Sequence, residues 1–224
     1  MSNEILKGLN KVQTKAVQDT DGFTLTLAGA GSGKTRILTC RIAYLIKQKN
    51  VSPWNILAVT FTNKAAREMK ERIISLVGEE AKHIWAGTFH SICVRLISMF
   101  GEDIGIAKNF TILDEAEKDK ILKECYTRIY EKPEKDQLEN LKYMLGLWKN
   151  GLITPEEAIE QTQPGTDKAM HNRAANVYLE YQHILKASNS LDFDDLIMKT
   201  VFLCNHSEKA RAYIDKKFRY MLVN

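Results

Sequence analysis

A glycine-rich octapeptide, AGAGSGKT at residues 28–35, constrains the fold of this chain more than any other feature. It follows residues 23–27, where apolar and polar side chains alternate as in a strand, and it leads into residues 34–48, where apolar side chains recur at helical spacing. A strand, a glycine-rich turn and a helix in this order predict a loop whose backbone N–H groups surround a phosphate at the start of a helix. Ala28 stands where the general pattern has its first glycine.

Each position of the octapeptide has a predicted task in binding ATP and Mg²⁺. Lys34 is expected to reach the β- and γ-phosphates, and the Thr35 hydroxyl is expected to be a ligand of Mg²⁺. These two residues are the catalytic candidates. The predicted nucleotide-binding residues of the loop are Ala28, Gly29, Ala30, Gly31, Ser32, Gly33, Lys34 and Thr35.

The first 110 residues alternate short apolar runs with helical patterns, which predicts an α/β domain built on a parallel sheet. Beyond the strand at 23–27 and the helix at 34–48, the predicted elements are strands at 56–61, 84–86 and 218–223 and helices at 65–77 and 90–100.

Residues 111–196 have a different pattern, because strand signals nearly vanish and Glu/Lys-rich helical patterns take their place. Asp114 followed by Glu117 predicts a helix N-cap with its reciprocal acid. For that reason, residues 110–115 (FTILDE) are not interpreted as a strand that ends in a catalytic Asp-Glu pair. We expect residues 111–196 to form a helical insertion, with a loop at 163–166.

The charge of the chain is unevenly distributed, although its net value is only +4. Residues 111–196 contain 17 acidic and 11 basic side chains, and the remainder contains 11 acidic and 21 basic ones. The remainder is therefore the part predicted to hold a polyanion. Four scattered cysteines and the lack of an apolar run of ~18 residues predict a soluble cytoplasmic protein with reduced thiols, no zinc site and no membrane contact.

Three further segments narrow the range of functions. Residues 9–17 (LNKVQTKAV) precede the octapeptide, whereas residues 61–66 (FTNKAA) and 87–91 (GTFHS) each follow a predicted strand and open a helix. Ligands of open α/β sheets bind at the carboxyl ends of the strands, which is where these segments are expected to lie.

Together with the octapeptide, these segments resemble, in order and along almost the whole chain, DNA helicases of the UvrD/Rep/PcrA type of superfamily 1A. The resemblance implies a P-loop, RecA-like domain formed by residues 1–110 and 197–224, interrupted by a helical subdomain at 111–196. It also implies an ATP-dependent motor that moves 3′ to 5′ on single-stranded DNA. A monomeric chain, with repair or replication proteins as partners, is expected.

The resemblance also implies tasks for individual residues. Gln13 would read adenine through its side-chain amide, and Arg36 would lie near the nucleotide. The residues implied in contacts with single-stranded DNA are Phe61, Thr62, Asn63, Lys64, Thr88, Phe89 and His90. The alternatives are that Thr62 or Asn63 only caps a helix, and that His90 is an ordinary surface residue.

Two acidic regions complete the sequence interpretation. Residues 191–197 (LDFDDLI) carry three carboxylates, for which a structural role is favoured over a metal site. The predicted strand at 218–223 matches the strand before the family's Asp-Glu box, so Asn224 either takes the place of that Asp or directly precedes it. We therefore expect an N-terminal fragment that binds nucleotide with little DNA-stimulated ATP hydrolysis, because the second motor domain and its arginine finger are missing.

Other functions remain open at this point. The chain could be the motor part of a helicase–nuclease subunit, or a nucleotide- and DNA-binding module without turnover. A small-molecule P-loop kinase would account for residues 28–35, but it would not account for residues 61–66, residues 87–91 or Gln13.

Overall fold

The computed structural model describes residues 2–29, 31–161 and 168–224, so the predicted loop at 163–166 lies outside it. The chain divides into two compact units, Met1–Ile92 with Arg211–Asn224, and Cys93–Ala210. The predicted insertion at 111–196 lies within the second unit, and its boundaries stay a prediction. Within the described ranges, no helix is long and apolar enough to cross a membrane.

The described elements are mainly helical, with short strands. The strands are β1 Ile56–Thr60, β2 Trp85–Thr88, β3 Thr111–Ile112, β4 Ser190–Leu191 and β5 Tyr220–Val223. The helices are α1 Ser2–Leu6, α2 Lys11–Gln18, α3 Lys34–Lys47, α4 Asn63–Val77, α5 Phe89–Phe100, α6 Glu115–Ile129, α7 Lys135–Asn150, α8 Pro155–Glu160, α9 Lys168–Ala187, α10 Phe193–His206 and α11 Glu208–Lys217.

The first unit is built on a parallel sheet with the strand order β2–β1–β5. The central strand β1 has the sequence ILAVT and is almost wholly buried, as expected for a strand covered on both faces. Side chains of α3 and α4, among them Ile42 and Met69, form one apolar core with Ala58 and Leu222 of the sheet. The predicted parallel sheet is confirmed, as are strands at three of the four predicted places.

The strand predicted at residues 23–27 is wrong. No strand includes these residues, and the side chains of Phe23, Leu25 and Leu27 are each at least 83% exposed. An alternating sequence forms a strand only where a neighbouring strand pairs with its N–H and C=O groups. Among the described residues no strand pairs with residues 23–27, and the sheet ends at β2 on one side and at β5 on the other.

The second unit is mainly helical, as the sequence predicts, and its helix starts follow the predicted caps. Asp114 accepts a hydrogen bond from the Glu117 N–H at 2.8 Å, and Glu117 accepts one from the Asp114 N–H at 3.0 Å. The cap interpretation of Asp114 is therefore confirmed. Sequence reasoning missed the short parallel pairing of β3 with β4, because two-residue strands carry too little pattern to be recognised.

The acidic segment at 191–197 lies in the second unit as part of a buried ionic cluster. Lys149 of α7 places its Nζ 2.7 Å from Asp192 Oδ2 and 2.9 Å from Asp195 Oδ1, and all three side chains are buried. The Tyr181 hydroxyl donates to Asp192 at 3.0 Å, and Lys118 donates to Asp194 at 2.9 Å. These contacts join α6, α7 and α9 to the start of α10.

The lysines of this cluster offset the effect of burial on the carboxyl pKa more strongly at Asp192 than at Asp195. Burial raises the pKa of the Asp192 carboxyl, but the ammonium groups of Lys149 and Lys118 outweigh this effect and lower the pKa to about 2. For Asp195, burial prevails and the pKa is raised in spite of Lys149. A buried carboxylate pair of this kind depends on its lysine, so the cluster has a structural role in the second unit.

We predict that Lys149→Met will destabilise the second unit by about 3–5 kcal/mol, because it leaves the buried Asp195 without its cation and Asp192 with only Lys118, 3.6 Å away. The matched control is Lys142→Met on the same helix, whose ammonium group pairs with Asp119 at 3.1 Å and Glu139 at 3.2 Å while remaining partly exposed. The control should cost about 1 kcal/mol or less. Urea unfolding followed by circular dichroism measures both values, and equal losses would contradict the prediction.

Candidate functional site

The predicted DNA contacts and Thr35 of the predicted nucleotide loop lie at the carboxyl edge of the sheet in the first unit. Thr60 of β1 lies beside Thr88 of β2, and the N–H of Asn224, directly after β5, donates to the Val59 carbonyl at 2.9 Å. All three strands therefore end at the same edge. The predicted DNA contacts follow β1 and β2, and the start of α3 reaches this edge through Thr35.

The glycine-rich loop folds back on itself in front of α3. Gly31 and Gly33 have φ of 74° and 87°, a left-handed conformation that favours glycine. The Ser32 hydroxyl donates to the Gly29 carbonyl at 2.6 Å, and Lys34 Nζ donates to the same carbonyl at 2.8 Å and to that of Ala28 at 2.9 Å. The lysine thus points back over its own loop.

Ala30, which was predicted to bind nucleotide, lies outside the described residues. The positions of the rest of the loop relative to a phosphate stay predictions.

Gln13 uses both ends of its side-chain amide, one in the cap of α2 and one on the loop. Its Oε1 accepts from the Asn10 N–H at 2.9 Å, its own N–H donates to Asn10 Oδ1 at 2.9 Å, and its Nε2 donates to the Ser32 carbonyl at 3.1 Å. The first two bonds form a capping box at the start of α2. Sequence reasoning overlooked Asn10 as the residue that positions Gln13, although the Asn-x-x-Gln spacing carries that signal.

Arg36 is directed toward the chain before α2. Its Nη2 donates to the Lys7 carbonyl at 2.8 Å. Gly8 has a φ of 73°, and a Cβ there would lie only 2.9 Å from the same nitrogen, so the glycine gives the guanidinium room. In this arrangement Arg36 anchors the N-terminal segment on α3, and its predicted place near the nucleotide stays a prediction.

Thr35 and Asn224 meet where β5 ends. The Asn224 amide nitrogen lies 3.3 Å, and its amide oxygen 3.4 Å, from Thr35 Oγ1. The sequence left two possibilities open for Asn224, the place of the family's Asp or the position directly before it, and the choice between them stays a prediction. The contact depends on the pairing of β5 with β1, which a single chain segment cannot show.

The segment after β1 combines a helix cap with an exposed polar surface. Thr62 Oγ1 accepts from the Ala65 N–H at 3.1 Å, so Thr62 is the N-cap of α4. Phe61, Asn63 and Lys64 are exposed beside the free N–H groups of this helix start. The capping alternative is confirmed for Thr62, and it leaves the neighbouring groups available to an anion.

The segment after β2 is more buried. Thr88 Oγ1 accepts from the Ser91 N–H at 3.2 Å, and the Ser91 hydroxyl donates to the Thr88 carbonyl at 2.8 Å. Thr88 therefore caps α5 from a buried position, and its predicted contact with DNA stays a prediction. His90 is half-buried.

Gly87 is required by this arrangement, because a Cβ at that position would lie only 2.4 Å from Ser91 Oγ. Sequence reasoning did not single out Ser91.

An aromatic pair joins the ends of the two strands. The rings of Phe61 and Phe89 have centroids 5.4 Å apart and are tilted by 55°, and Phe61 is 76% exposed. An exposed aromatic side chain beside a helix N-terminus offers a base a stacking surface and a phosphate a group of N–H donors.

The comparisons with known proteins agree on one family. The family model for the UvrD/REP helicase N-terminal domain matches residues 9–224. The ATP-dependent DNA helicase PcrA of Bacillus subtilis is 46% identical over 224 residues, which are 100% of this chain and 30% of the relative. Proteins of the same name from Staphylococcus epidermidis and Staphylococcus aureus are 44% identical over 99% of this chain and 30% of their own length.

The chain thus spans about 30% of the length of the curated relatives it matches. A family match over nearly every residue, with identities of 44–46% to helicases, is more than fold similarity alone would give. The chain belongs to the UvrD/REP helicase N-terminal domain family.

Proposed function

We propose that this chain is the part of an ATP-dependent DNA helicase that binds ATP with Mg²⁺ and contacts single-stranded DNA. The contact between Thr35 and Asn224 carries this proposal, because it joins the glycine-rich loop to the carboxyl edge of the sheet. The Phe61–Phe89 pair lies at the same edge. Nucleotide and DNA would therefore bind at the carboxyl ends of neighbouring strands of one sheet.

The residues of the loop are suited to the phosphates of ATP. A phosphate oxygen is charged and forms stronger hydrogen bonds with an ammonium group than a neutral carbonyl does. Lys34 would therefore exchange the carbonyls of Ala28 and Gly29 for the β- and γ-phosphates, while the start of α3 adds its N–H groups.

The oxygens at the start of α3 suit Mg²⁺. Thr35 and Asn224 present hydroxyl and amide oxygens, which are hard ligands of the kind this ion takes. Bound together with the nucleotide, Mg²⁺ would neutralise phosphate charge.

Gln13 would recognise the base of the nucleotide. Its Nε2 is 3.1 Å from a carbonyl of the loop, so an adenine recognised by the same amide would lie next to the phosphate site. A side-chain amide offers both a donor and an acceptor, which is the pattern that an adenine edge requires.

The DNA contacts divide into backbone and base contacts. The first N–H groups of α4, with Asn63 and Lys64, would hold phosphates, and Phe61 with Phe89 would stack on a base. Contacts of this kind do not distinguish sequences, as a motor that moves along any strand requires.

The wider setting of the proposal rests on the family. It comprises a RecA-like domain with residues 111–196 as an inserted subdomain, 3′-to-5′ movement, a second motor domain elsewhere in the parent protein, and a cytoplasmic monomer that works with repair or replication proteins. Hydrolysis and unwinding belong to that parent protein.

We predict that Lys34→Ala will weaken ATP binding by about tenfold or more and ADP binding by less, because Lys34 serves the β- and γ-phosphates. Titration with fluorescent ATP and ADP analogues measures both affinities. Lys47→Ala, at the far end of α3, is the matched control and should change neither. Equal losses for the two nucleotides in Lys34→Ala would assign the lysine to folding or general electrostatics.

We predict that Gln13→Glu will narrow the preference for ATP over GTP several-fold, because it removes the Nε2 donor. Glu keeps an oxygen that can accept from the Asn10 N–H, so the capping box at α2 is preserved. The ratio of the ATP affinity to the GTP affinity is the readout, because the added negative charge should weaken the binding of both nucleotides alike. Gln18→Glu, exposed at the end of α2, is the control, and an unchanged ratio in Gln13→Glu would remove Gln13 from the base site.

We predict that Phe61→Ala will weaken binding of oligo-dT roughly fivefold or more, the loss of one base–aromatic stack. The side chain is exposed, so the substitution should leave the fold intact. Phe23→Ala, another exposed phenylalanine of the first unit, is the matched control.

Fluorescence anisotropy of a labelled oligonucleotide measures these affinities, and binding should weaken steeply with salt. The double variant Thr62→Ala with His90→Ala should also weaken binding, whereas Glu131→Ala and Glu134→Ala should not. If Phe61→Ala and Phe23→Ala behave alike, the DNA path lies elsewhere.

A further inference from the structure

The amide of Asn224 lies at the residue proposed to bind Mg²⁺. Its two polar atoms are 3.3 and 3.4 Å from the Thr35 hydroxyl oxygen, and its backbone is fixed by the hydrogen bond from its N–H to the Val59 carbonyl. Asn224 therefore continues β5 in register with β1, and its side chain is directed toward the start of α3.

The spacing of these oxygens suits two neighbouring ligands of one ion. Mg²⁺ holds oxygens at 2.0–2.1 Å in an octahedron, so adjacent ligands lie about 3 Å apart. The 3.4 Å between Asn224 Oδ1 and Thr35 Oγ1 differs from this by a few tenths of an ångström, which a rotation of either side chain can absorb.

We propose that Asn224 occupies the position from which other P-loop NTPases present an aspartate to Mg²⁺, and that it acts as a neutral ligand. This inference rests on the proposed function. In P-loop NTPases the ion is held by the loop Ser or Thr together with an Asp from a second strand. Here the second strand is β5, and the residue facing Thr35 brings an oxygen without a negative charge.

The missing charge changes how metal and nucleotide depend on each other. An aspartate at this point would repel the phosphates when Mg²⁺ is absent and attract the ion when it is present. A neutral amide does neither, so nucleotide affinity should respond only weakly to Mg²⁺.

The quantity to measure is the Mg²⁺ effect, defined as the dissociation constant of fluorescent ADP in EDTA divided by that in MgCl₂. Asn224→Asp should increase the Mg²⁺ effect roughly tenfold, the consequence of one unit charge a few ångströms from the ion and the phosphates. Asn224→Ala should lower it below that of the unchanged chain, because the amide oxygen is lost. Titration of Mn²⁺ with ADP, followed by electron paramagnetic resonance, should show tighter metal binding in Asn224→Asp.

Met221→Asp is the matched control. It adds the same charge to the same strand, but on the opposite face and at an exposed side chain. Its Mg²⁺ effect should stay unchanged, whereas an increase equal to that of Asn224→Asp would overturn the inference in favour of a general charge effect. Should circular dichroism show that Asn224→Asp does not fold, the comparison of Asn224→Ala with the unchanged chain decides.

Two results separate this inference from the proposed function. If the unchanged chain binds ADP and the Mg²⁺ effect is the same in it, in Asn224→Asp and in Asn224→Ala, then Asn224 is not at the metal and only this inference fails. If the unchanged chain binds neither ATP nor ADP, the proposed function fails, and this inference fails with it.

Discussion

The parallel pairing of β1 with β2 and β5 is the constraint on which the rest of the first unit depends. Because all three strands run in one direction, residues far apart in sequence end at a single edge: Phe61 after β1, Thr88 at the end of β2 and Asn224 after β5. The central strand β1 pairs on both sides, and its buried side chains, Ile56 and Ala58 among them, belong to the apolar core. Chemistry at the edge therefore follows from packing in the sheet.

The helices that leave this edge serve packing and binding with the same groups. Thr62 and Thr88 each accept a hydrogen bond from a backbone N–H in the first turn of a helix. At the start of α4, other N–H groups of that turn have no intrahelical partner. Phosphates could therefore bind at this helix start without a change that destabilises the folded domain. This is why a threonine in such a segment supports a cap and a ligand contact equally well when only the sequence is known.

Local sequence patterns predicted most helices and strands, whereas the pairing of distant strands determined which predicted strands form and which residues meet. The caps at Asp114 and the strand at β1 were predictable because each signal lies within a few residues. Residues 23–27 carry as clear a strand pattern as β1, yet they are unpaired, since pairing requires a neighbour that the pattern does not specify. The sequence assigned Lys34, Thr35 and Gln13 to one site and left the place of Asn224 open, because the contact of Asn224 with Thr35 depends on the pairing of β5 with β1.

The loop of residues 28–35 shows how nucleotide binding would reach the N-terminal segment. Lys34 and Ser32 both donate to the Gly29 carbonyl, and Gln13 donates to the Ser32 carbonyl. A triphosphate would compete for Lys34 with charged oxygens, and an adenine would compete for the amide of Gln13. Loss of either bond would leave a loop carbonyl with one donor fewer, so binding of the phosphates and of the base would act on the same loop. Phosphate and base recognition would then be coupled through a few hydrogen bonds, without movement of the sheet.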